Sequence, residues 1–124
     1  MDDPRQSIGQ RGEHAVAAWL CRAGYTVLAR NWRHRELGEL DLVARHNEEI
    51  VFVEVRTRRG TLEQALSAAL ESVNERKRAR LIALAQAYLD AHDLAGVRWR
   101  VDVAAVAWAG DTCAIQIVPN ALEW

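Results

Sequence analysis

The stretch GELDLVARHNEEIVFVEVRTRRG, residues 38–60, decides the fold. Two runs rich in β-branched and other apolar residues flank the polar sequence HNEE, and this pattern predicts two strands joined by a tight turn. If the turn is centred on Asn47 and Glu48, residues whose numbers sum to 95 face each other across the hairpin. One face is then uniformly apolar and is predicted to be core: Leu40 faces Val55, Leu42 faces Val53, and Ala44 faces Val51.

The other face of this hairpin places Glu39 against Arg56, Asp41 against Glu54, and Val43 against Phe52. The Cβ atoms of Asp41 and Glu54 are expected about 5 Å apart, which is unfavourable for two like charges. Water can screen the pair, one carboxyl can take a proton, or a hard cation can lie between them. Because Val43 and Phe52 argue against full exposure, we expect Mg²⁺, with the carbonyl of Val55 as an extra ligand. A solvated polar edge is the alternative.

The remaining elements follow from helical and strand periodicity. The predicted elements are a helix at Ser7–Ala23, strands at Tyr25–Trp32, Glu39–Arg45 and Ile50–Thr57, a short helix opened by the capping box Thr61–Gln64, a longer helix opened by Ser72–Glu75 and ending near Ala91, and strands at Val97–Ala107 and Cys113–Val118. A helical crossover after the third strand favours a parallel partner for the fourth. The predicted class is α/β, a small mixed β-sheet flanked by helices.

Length and composition indicate one domain over residues 1–124, with residues 119–124 as a C-terminal tail after the last strand. No apolar run approaches the roughly 20 residues that span a bilayer, so no membrane association is expected. The polar N-terminal sequence leads us to expect a cytoplasmic location. Cys21 and Cys113 stand in no metal-binding spacing and are predicted to be reduced, small core residues.

The basic residues are unevenly distributed. The net charge of −1 does not by itself indicate a nucleic-acid-binding protein. Even so, 11 of the 16 basic residues lie between Arg30 and Arg80. Two tight clusters are Arg56, Arg58 and Arg59, and Arg76, Lys77, Arg78 and Arg80. Taken alone, such clusters are typical of a solvated, salt-bridged face.

The runs GELDLV and VFVEVRTR, together with GQRGEHAVAAWLCRAGYTVLARNWR, KRARLIALAQAYL and VRWRVDV, resemble the YraN family of small bacterial proteins. The resemblance covers nearly the whole chain. That family is similar to the restriction-endonuclease-like PD-(D/E)xK superfamily, close to archaeal Holliday-junction resolvases. It implies an αβββαβ core around a mixed sheet and metal-dependent phosphodiester hydrolysis in structured or branched DNA. It also implies a homodimer, since resolvases cut two strands symmetrically.

The resemblance implies that Glu13, Asp41 and Glu54 hold Mg²⁺ or Mn²⁺, and that the lysine of the E-x-K element falls on Arg56. This sequence departs from the pattern there. Arginine can stabilise phosphate charge but cannot act as a base, because its pKa exceeds about 12. Glu13 lies about 60° from Val16 on a helical wheel, at the margin of the buried stripe, where it could reach a metal or be an ordinary flanking glutamate.

Lys77 is the predicted substitute for the missing lysine. It precedes Leu81 by four residues and Leu84 by seven, so it shares the core-facing stripe of its helix. We expect its side chain to reach the polar face of the sheet, as a catalytic group or a phosphate contact. A lysine that extends from the helix edge into water is the alternative.

Five arginines are predicted to contact backbone phosphates, with those of the helix splayed away from Lys77: Arg58, Arg59, Arg76, Arg78 and Arg80. Arg100 and Asp102 are predicted to form a structural salt bridge. The leading functional hypothesis is a nuclease. A catalytically inactive nuclease-fold DNA-binding module is the second, and the third is an interaction protein whose carboxylates pair with Arg56 and Arg58.

Overall fold

A computed structural model of the chain describes residues 6–123, which form a five-stranded sheet with helices on both faces. The elements are α1 (Ile8–Arg22), β1 (Thr26–His34), β2 (Gly38–His46), β3 (Glu49–Arg59), α2 (Leu62–Glu71), α3 (Glu75–Ala91), β4 (Arg98–Ala109) and β5 (Thr112–Val118). Their order is the predicted one, and the strand ends lie within two residues of the prediction. Trp124, the end of the predicted tail, lies outside the described residues.

The five strands lie side by side in chain order. β3 and β4 are parallel, while the other neighbouring strands are antiparallel. Parallel neighbours need a long crossover connection, and α2 and α3 supply it. The predicted α/β class with a mixed sheet flanked by helices is therefore confirmed.

The hairpin register is the predicted one from His46–Glu49 to Leu42–Val53. The alternate residues Leu42, Ala44, Val51, Val53 and Val55 pack on α1 through Val16, Ala17 and Leu20. The intervening residues Val43, Ile50 and Phe52 pack on the opposite side, against Leu81, Leu84 and Tyr88 of α3. This alternation is what the apolar pattern of the hairpin requires.

The prediction for Leu40 was wrong, because Leu40 packs with Val43 on the α3 side and not with the α1 cluster. Leu40 and Val43 are three residues apart and yet point to the same face of the sheet. The regular alternation of side chains between the two faces is therefore interrupted once in β2. The same is true of its neighbour β1, since Ala29 and Trp32 both pack on the α3 side. Asn31, between them, has a left-handed φ of 51°, and such a residue takes a strand out of alternation.

Local capping mostly follows the sequence patterns. Thr61 and Gln64 form the predicted reciprocal capping box at the start of α2. The start of α3 was misassigned, because its N-cap is Asn74 and not Ser72. The Asn74 side chain accepts a hydrogen bond from the backbone N–H of Lys77 at 2.8 Å. An Asn with extended backbone is a strong N-cap, and it prevails over the capping-box pattern.

Two further features concern the cysteines and the tail. Cys21 is exposed on α1, contrary to the predicted core position, whereas Cys113 is half-buried beside the α1 cluster. The residues after β5 are fixed against β4, since Ala121 is fully buried and its N–H donates to the carbonyl of Val101 at 2.8 Å. The tail therefore covers the α2 side of the sheet.

Candidate functional site

Asp41 lies where β2 separates from β3. Backbone pairing between these strands ends at Leu42–Val53. Beyond that pair, the backbone N–H of Val55 donates to Oδ2 of Asp41 at 2.8 Å, so a side-chain carboxylate takes the place of a strand carbonyl. The prediction that Asp41 and Glu54 face each other directly across the ladder is thus corrected. The Asp41 side chain fills the gap between the strands, next to Val55, the residue after Glu54.

The carboxyl of Asp41 has an environment that disfavours its charge. Burial and the negative charges of Glu54 and Glu13 raise the pKa of Asp41 from 3.8 to about 7. The hydrogen bond from Val55 and the positive charge of Arg56 act in the opposite direction and are outweighed. The three carboxylates that the sequence singled out therefore lie in one electrostatic neighbourhood, with Asp41 at its centre.

Glu54 is the most deeply buried of these acids, with 5% of its side chain exposed. One of its oxygens, Oε1, contacts two cations. Nη2 of Arg56 lies 3.0 Å away, and Nζ of Lys77 lies 3.0 Å away. A buried carboxylate needs such partners, because an unpaired charge in the interior costs several kcal/mol. The ion pairs explain how the sheet accommodates Glu54.

Lys77 reaches this position from α3. Its side chain is only 15% exposed, and Leu81, one turn further along the helix, is buried in the core. The structure thus places Lys77 on the polar face of the sheet, as its helical stripe indicated. The Lys77 side chain is not the solvated lysine of the alternative interpretation.

Glu13 is held on the β1 side of the site by a residue that the sequence analysis missed. The amide nitrogen of Asn31 donates to Oε1 of Glu13 at 3.1 Å and to Oε1 of Glu39 at 2.7 Å. Glu39 also pairs with Nε of Arg33 at 3.1 Å. Asparagine is depleted in strand interiors, so an Asn within the predicted first strand was the available signal.

The acidic residues that the structure describes do not form a closed cage for a metal ion, and only an open site is compatible with their arrangement. Among residues 6–123, no group of three or more His, Cys, Asp or Glu side chains is arranged to hold a metal ion. Mg²⁺ commonly takes only one or two protein carboxylates, with water and phosphate oxygens completing its octahedron. Asp41 and Glu54 could serve in this way, with the carbonyl of Val55 nearby. Burial is the main cause of the raised pKa of Asp41, the negative charges of Glu54 and Glu13 add to it, and a bound cation would oppose both effects.

The predicted phosphate-contacting arginines fall into separate groups. Arg76 and Arg80 line one open cleft together with Lys77 and Arg56, so the prediction that they splay away from Lys77 was wrong. They are four residues apart on α3 and therefore on one side of it. Arg58 lines a different surface, beside α2. Arg59 is exposed and pairs with Trp108 of β4 through the backbone, and Arg78 is half-buried.

The salt bridge predicted between Arg100 and Asp102 is confirmed. Nε of Arg100 lies 3.0 Å from Oδ1 of Asp102, and the guanidinium also donates to Glu49 and to the hydroxyl of Tyr25. Asp102 accepts a further hydrogen bond from the backbone N–H of Asn120. All three guanidinium nitrogens thus have acceptors, and the cluster joins β4 to β3 and to the tail.

The fold and the site define a small α/β protein with a largely buried cluster of acidic and basic side chains at the gap between two strands. Residues 12–106 match the model of the uncharacterised protein family UPF0102. A UPF0102 protein of Chloroflexus aurantiacus is 52% identical over 111 residues, which cover 89% of this chain and 87% of the relative. A UPF0102 protein of Roseiflexus castenholzii is 47% identical over 126 residues, which cover 99% and 98%.

The chain belongs to UPF0102, the YraN family, and the resemblance drawn from its motifs is confirmed. A further UPF0102 protein, from Moorella thermoacetica, is 51% identical over 102 residues, which cover 82% of each chain. Among residues 6–123, no helix is long and apolar enough to cross a membrane.

Proposed function

We propose that this protein is a metal-dependent nuclease with a restriction-endonuclease-like core, and that it hydrolyses phosphodiester bonds in branched or structured DNA. The observation that carries the proposal is the grouping of Asp41, Glu54 and Lys77 at the end of the β2–β3 pairing. Carboxylates that can hold a hard cation, next to fixed positive charge, are what phosphodiester hydrolysis requires. The resemblance of the YraN family to Holliday-junction resolvases, drawn from the sequence motifs, suggests the class of substrate.

Asp41, Glu54 and the carbonyl of Val55 would hold Mg²⁺ or Mn²⁺, with Glu13 completing the negative charge of the site. The bound ion would supply a Lewis acid for the phosphoryl group and an activated water. Arg56 binds and neutralises the phosphate with a planar fork, a role that needs no proton transfer. Lys77 supplies the compact ammonium that Arg56 lacks, and orients the attacking water or a phosphate oxygen.

Two corollaries follow from a resolvase-like substrate. Symmetric cutting of two strands requires two sites, so the active species would be a homodimer, and sedimentation analysis with and without junction DNA measures this directly. A branched-DNA substrate would also place the protein in the cytoplasm.

The decisive experiment is a cleavage panel of duplex, flap and four-way junction DNA, each with Mg²⁺ and with Mn²⁺. We expect metal-dependent cleavage of branched substrates by the wild type and none by Asp41→Asn. Asparagine keeps the size of the side chain and an acceptor for Val55, so lost cleavage reflects the lost charge. Equal product from wild type and Asp41→Asn, or no product from any substrate, would contradict the proposal.

A DNA-binding protein without catalysis is the second candidate, and one observation favours it. Both Arg56 and Lys77 contact the same oxygen of Glu54, so the charge that a metal would use is already neutralised. This candidate predicts salt-dependent binding of junction DNA without cleavage in either metal. Calorimetry with millimolar Mg²⁺ or Mn²⁺ separates the two, because only the nuclease should lose metal binding on Asp41→Ala/Glu54→Ala.

A further inference from the structure

An open cleft lies between the start of α3 and the turn that joins β1 to β2. It has a volume of about 620 Å³, and we call it the α3 cleft. Its lining residues are Glu36, Leu37, Arg56, Ser72, Asn74, Arg76, Lys77 and Arg80. Leu37 is the single apolar residue of this set, and four cations face one lining carboxylate, that of Glu36.

This lining suits an extended anion. Pockets for small organic ligands are predominantly apolar, which the α3 cleft is not. Guanidinium groups bind phosphate with paired hydrogen bonds, and Arg76 and Arg80 are exposed one helical turn apart. The cleft also borders the N-terminus of α3, where the helix dipole adds positive potential.

Arg56 connects the cleft to the acidic cluster. One of its terminal nitrogens contacts Glu54, while its Nε–H is buried and has no hydrogen-bond acceptor among residues 6–123. A buried donor without an acceptor costs about 1–3 kcal/mol, so a phosphate oxygen at this point would stabilise the site. Because Arg56 both lines the cleft and contacts Glu54, a ligand bound at Arg56 would lie beside the acidic cluster.

We infer that the DNA backbone binds in the α3 cleft, with Arg76 and Arg80 contacting phosphates on the approach to the one that Arg56 and Lys77 bind. The inference rests on the proposed function for DNA as the ligand. It adds the path of the DNA strand across the molecule. It also narrows the five predicted arginines to Arg76 and Arg80, since Arg78 is half-buried and does not line the cleft.

Arg58 and Arg59 are excluded from this path. Arg58 lies in a separate cleft of about 370 Å³ whose lining includes the carboxylates of Glu63 and Glu71. These acids lower the positive potential at that surface, and they would repel a DNA backbone. Arg59 is the last residue of β3. Because successive side chains of a strand point to opposite faces of the sheet, Arg59 points to the face opposite the one that carries Arg56 and Arg58.

The test is fluorescence anisotropy of a labelled four-way junction, in EDTA so that no cleavage occurs, between about 50 and 200 mM NaCl. Three variants each remove two arginines. Arg76→Ala/Arg80→Ala removes the cleft arginines, and Arg58→Ala/Arg59→Ala removes the rival pair. Arg22→Ala/Arg98→Ala is the charge-matched control, because both residues are exposed on other parts of the protein. Circular dichroism verifies that each variant is folded.

We expect Arg76→Ala/Arg80→Ala to weaken binding at least about 10-fold and to lower the slope of log K against log salt by about 1.4 to 1.8, the value for two phosphate contacts. The other two variants should stay within about 3-fold of wild type. An equal or larger loss in Arg58→Ala/Arg59→Ala overturns the inference, as does unchanged binding by the cleft variant or the absence of junction binding by wild type. Binding that needs the cleft without any cleavage in Mg²⁺ or Mn²⁺ instead rejects only the nuclease proposal.

Discussion

Nζ of Lys77 lies 3.0 Å from Oε1 of Glu54, so a lysine from α3 reaches a glutamate in the middle of β3. The position of the lysine follows from the start of the helix. Asn74 caps α3 and binds the backbone N–H of Lys77, which fixes the first turn and the direction of the side chain. A lysine thus stands beside Glu54 although position 56, two residues further on β3, is arginine.

Lys77→Met tests whether this lysine supplies the missing group. Methionine keeps most of the apolar volume and removes the ammonium. We expect junction cleavage to fall by about 10²-fold or more, the usual loss when one charge-stabilising group is removed, with single-turnover kinetics as the measurement. Arg76→Met, on the same turn of the helix, is the comparison and should keep a chemical step close to wild type at saturating DNA. A chemical step as fast in Lys77→Met as in wild type at saturating DNA would show that Lys77 acts only in binding.

Arg56→Lys restores the lysine of the family pattern. With Lys77 present, we expect no gain in the cleavage rate beyond about 3-fold, because the ammonium is already supplied from α3 and the planar phosphate-binding group of Arg56 is lost. In the Lys77→Met background, the same change should recover at least about 10-fold of the lost rate. Each factor of ten corresponds to about 1.4 kcal/mol of transition-state stabilisation. If Arg56→Lys/Lys77→Met is no more active than Lys77→Met, a lysine at position 56 does not replace Lys77.

Asp41→Asn should stabilise the protein at high pH. The pKa of Asp41 is raised from 3.8 to about 7 in the folded chain, so folded Asp41 holds its proton more tightly than unfolded Asp41 does. Its contribution to stability is complete below pH ~4 and is lost as pH rises through about 7. The difference between the two pKa values corresponds to about 4 kcal/mol as an upper bound. Burial is the largest cause, and asparagine avoids the cost of a buried charge.

Urea denaturation at two pH values measures this effect. At pH ~8 we expect Asp41→Asn to exceed wild type by about 1–3 kcal/mol in the free energy of unfolding. At pH ~5 the two proteins should differ by less than about 1 kcal/mol. The exposed acid Asp90 on α3 gives the matched control, Asp90→Asn, with no such pH-dependent difference expected. A wild type more stable than Asp41→Asn at pH ~8 would contradict the argument.

Glu54→Gln should have the opposite effect to Asp41→Asn and lower the free energy of unfolding. Glutamine keeps the shape of the side chain but leaves the ammonium of Lys77 and the guanidinium of Arg56 without the buried charge that neutralises them. We expect a loss of about 1–3 kcal/mol in unfolding free energy. The measurement belongs at pH ~6, where Asp41 keeps its proton and there is little repulsion for the substitution to relieve. Unchanged stability would mean that the two ion pairs contribute nothing net.

Much of this arrangement could be predicted because the hairpin pattern is strict. Alternation from Leu42 to Val53 fixed the register, and the helical stripe of α3 directed Lys77 to the sheet. The local change of alternation at Leu40 could not be predicted, since it accompanies the left-handed conformation of Asn31, which no periodicity encodes. The α3 cleft was missed for another reason. It depends on how the β1–β2 turn and α3 approach each other in space.

A close approach of α1 to β3 at Gly12 and Thr57 gives a last prediction. A Cβ placed on Gly12 would lie 2.0 Å from Oγ1 of Thr57, so no side chain fits there without movement. Gly12→Ala gains up to about 1 kcal/mol of helix propensity but overpacks this contact. We expect a net loss of about 1–3 kcal/mol, measured by urea denaturation, and weaker cleavage because Glu13 is the next residue on α1.

Thr57→Ala turns this into a double-mutant cycle. The Thr57 hydroxyl is buried and has no hydrogen-bond partner among residues 6–123, so its removal should cost less than about 1.5 kcal/mol. It also removes the atom nearest to the new methyl group and leaves the Thr57 Cβ at 3.2 Å. Gly12→Ala/Thr57→Ala should therefore be more stable than the sum of the single effects by at least about 1 kcal/mol. Strict additivity would mean that the helix shifts away from β3, in which case Gly12→Ala should impair cleavage by displacing Glu13 whether or not Thr57 is replaced.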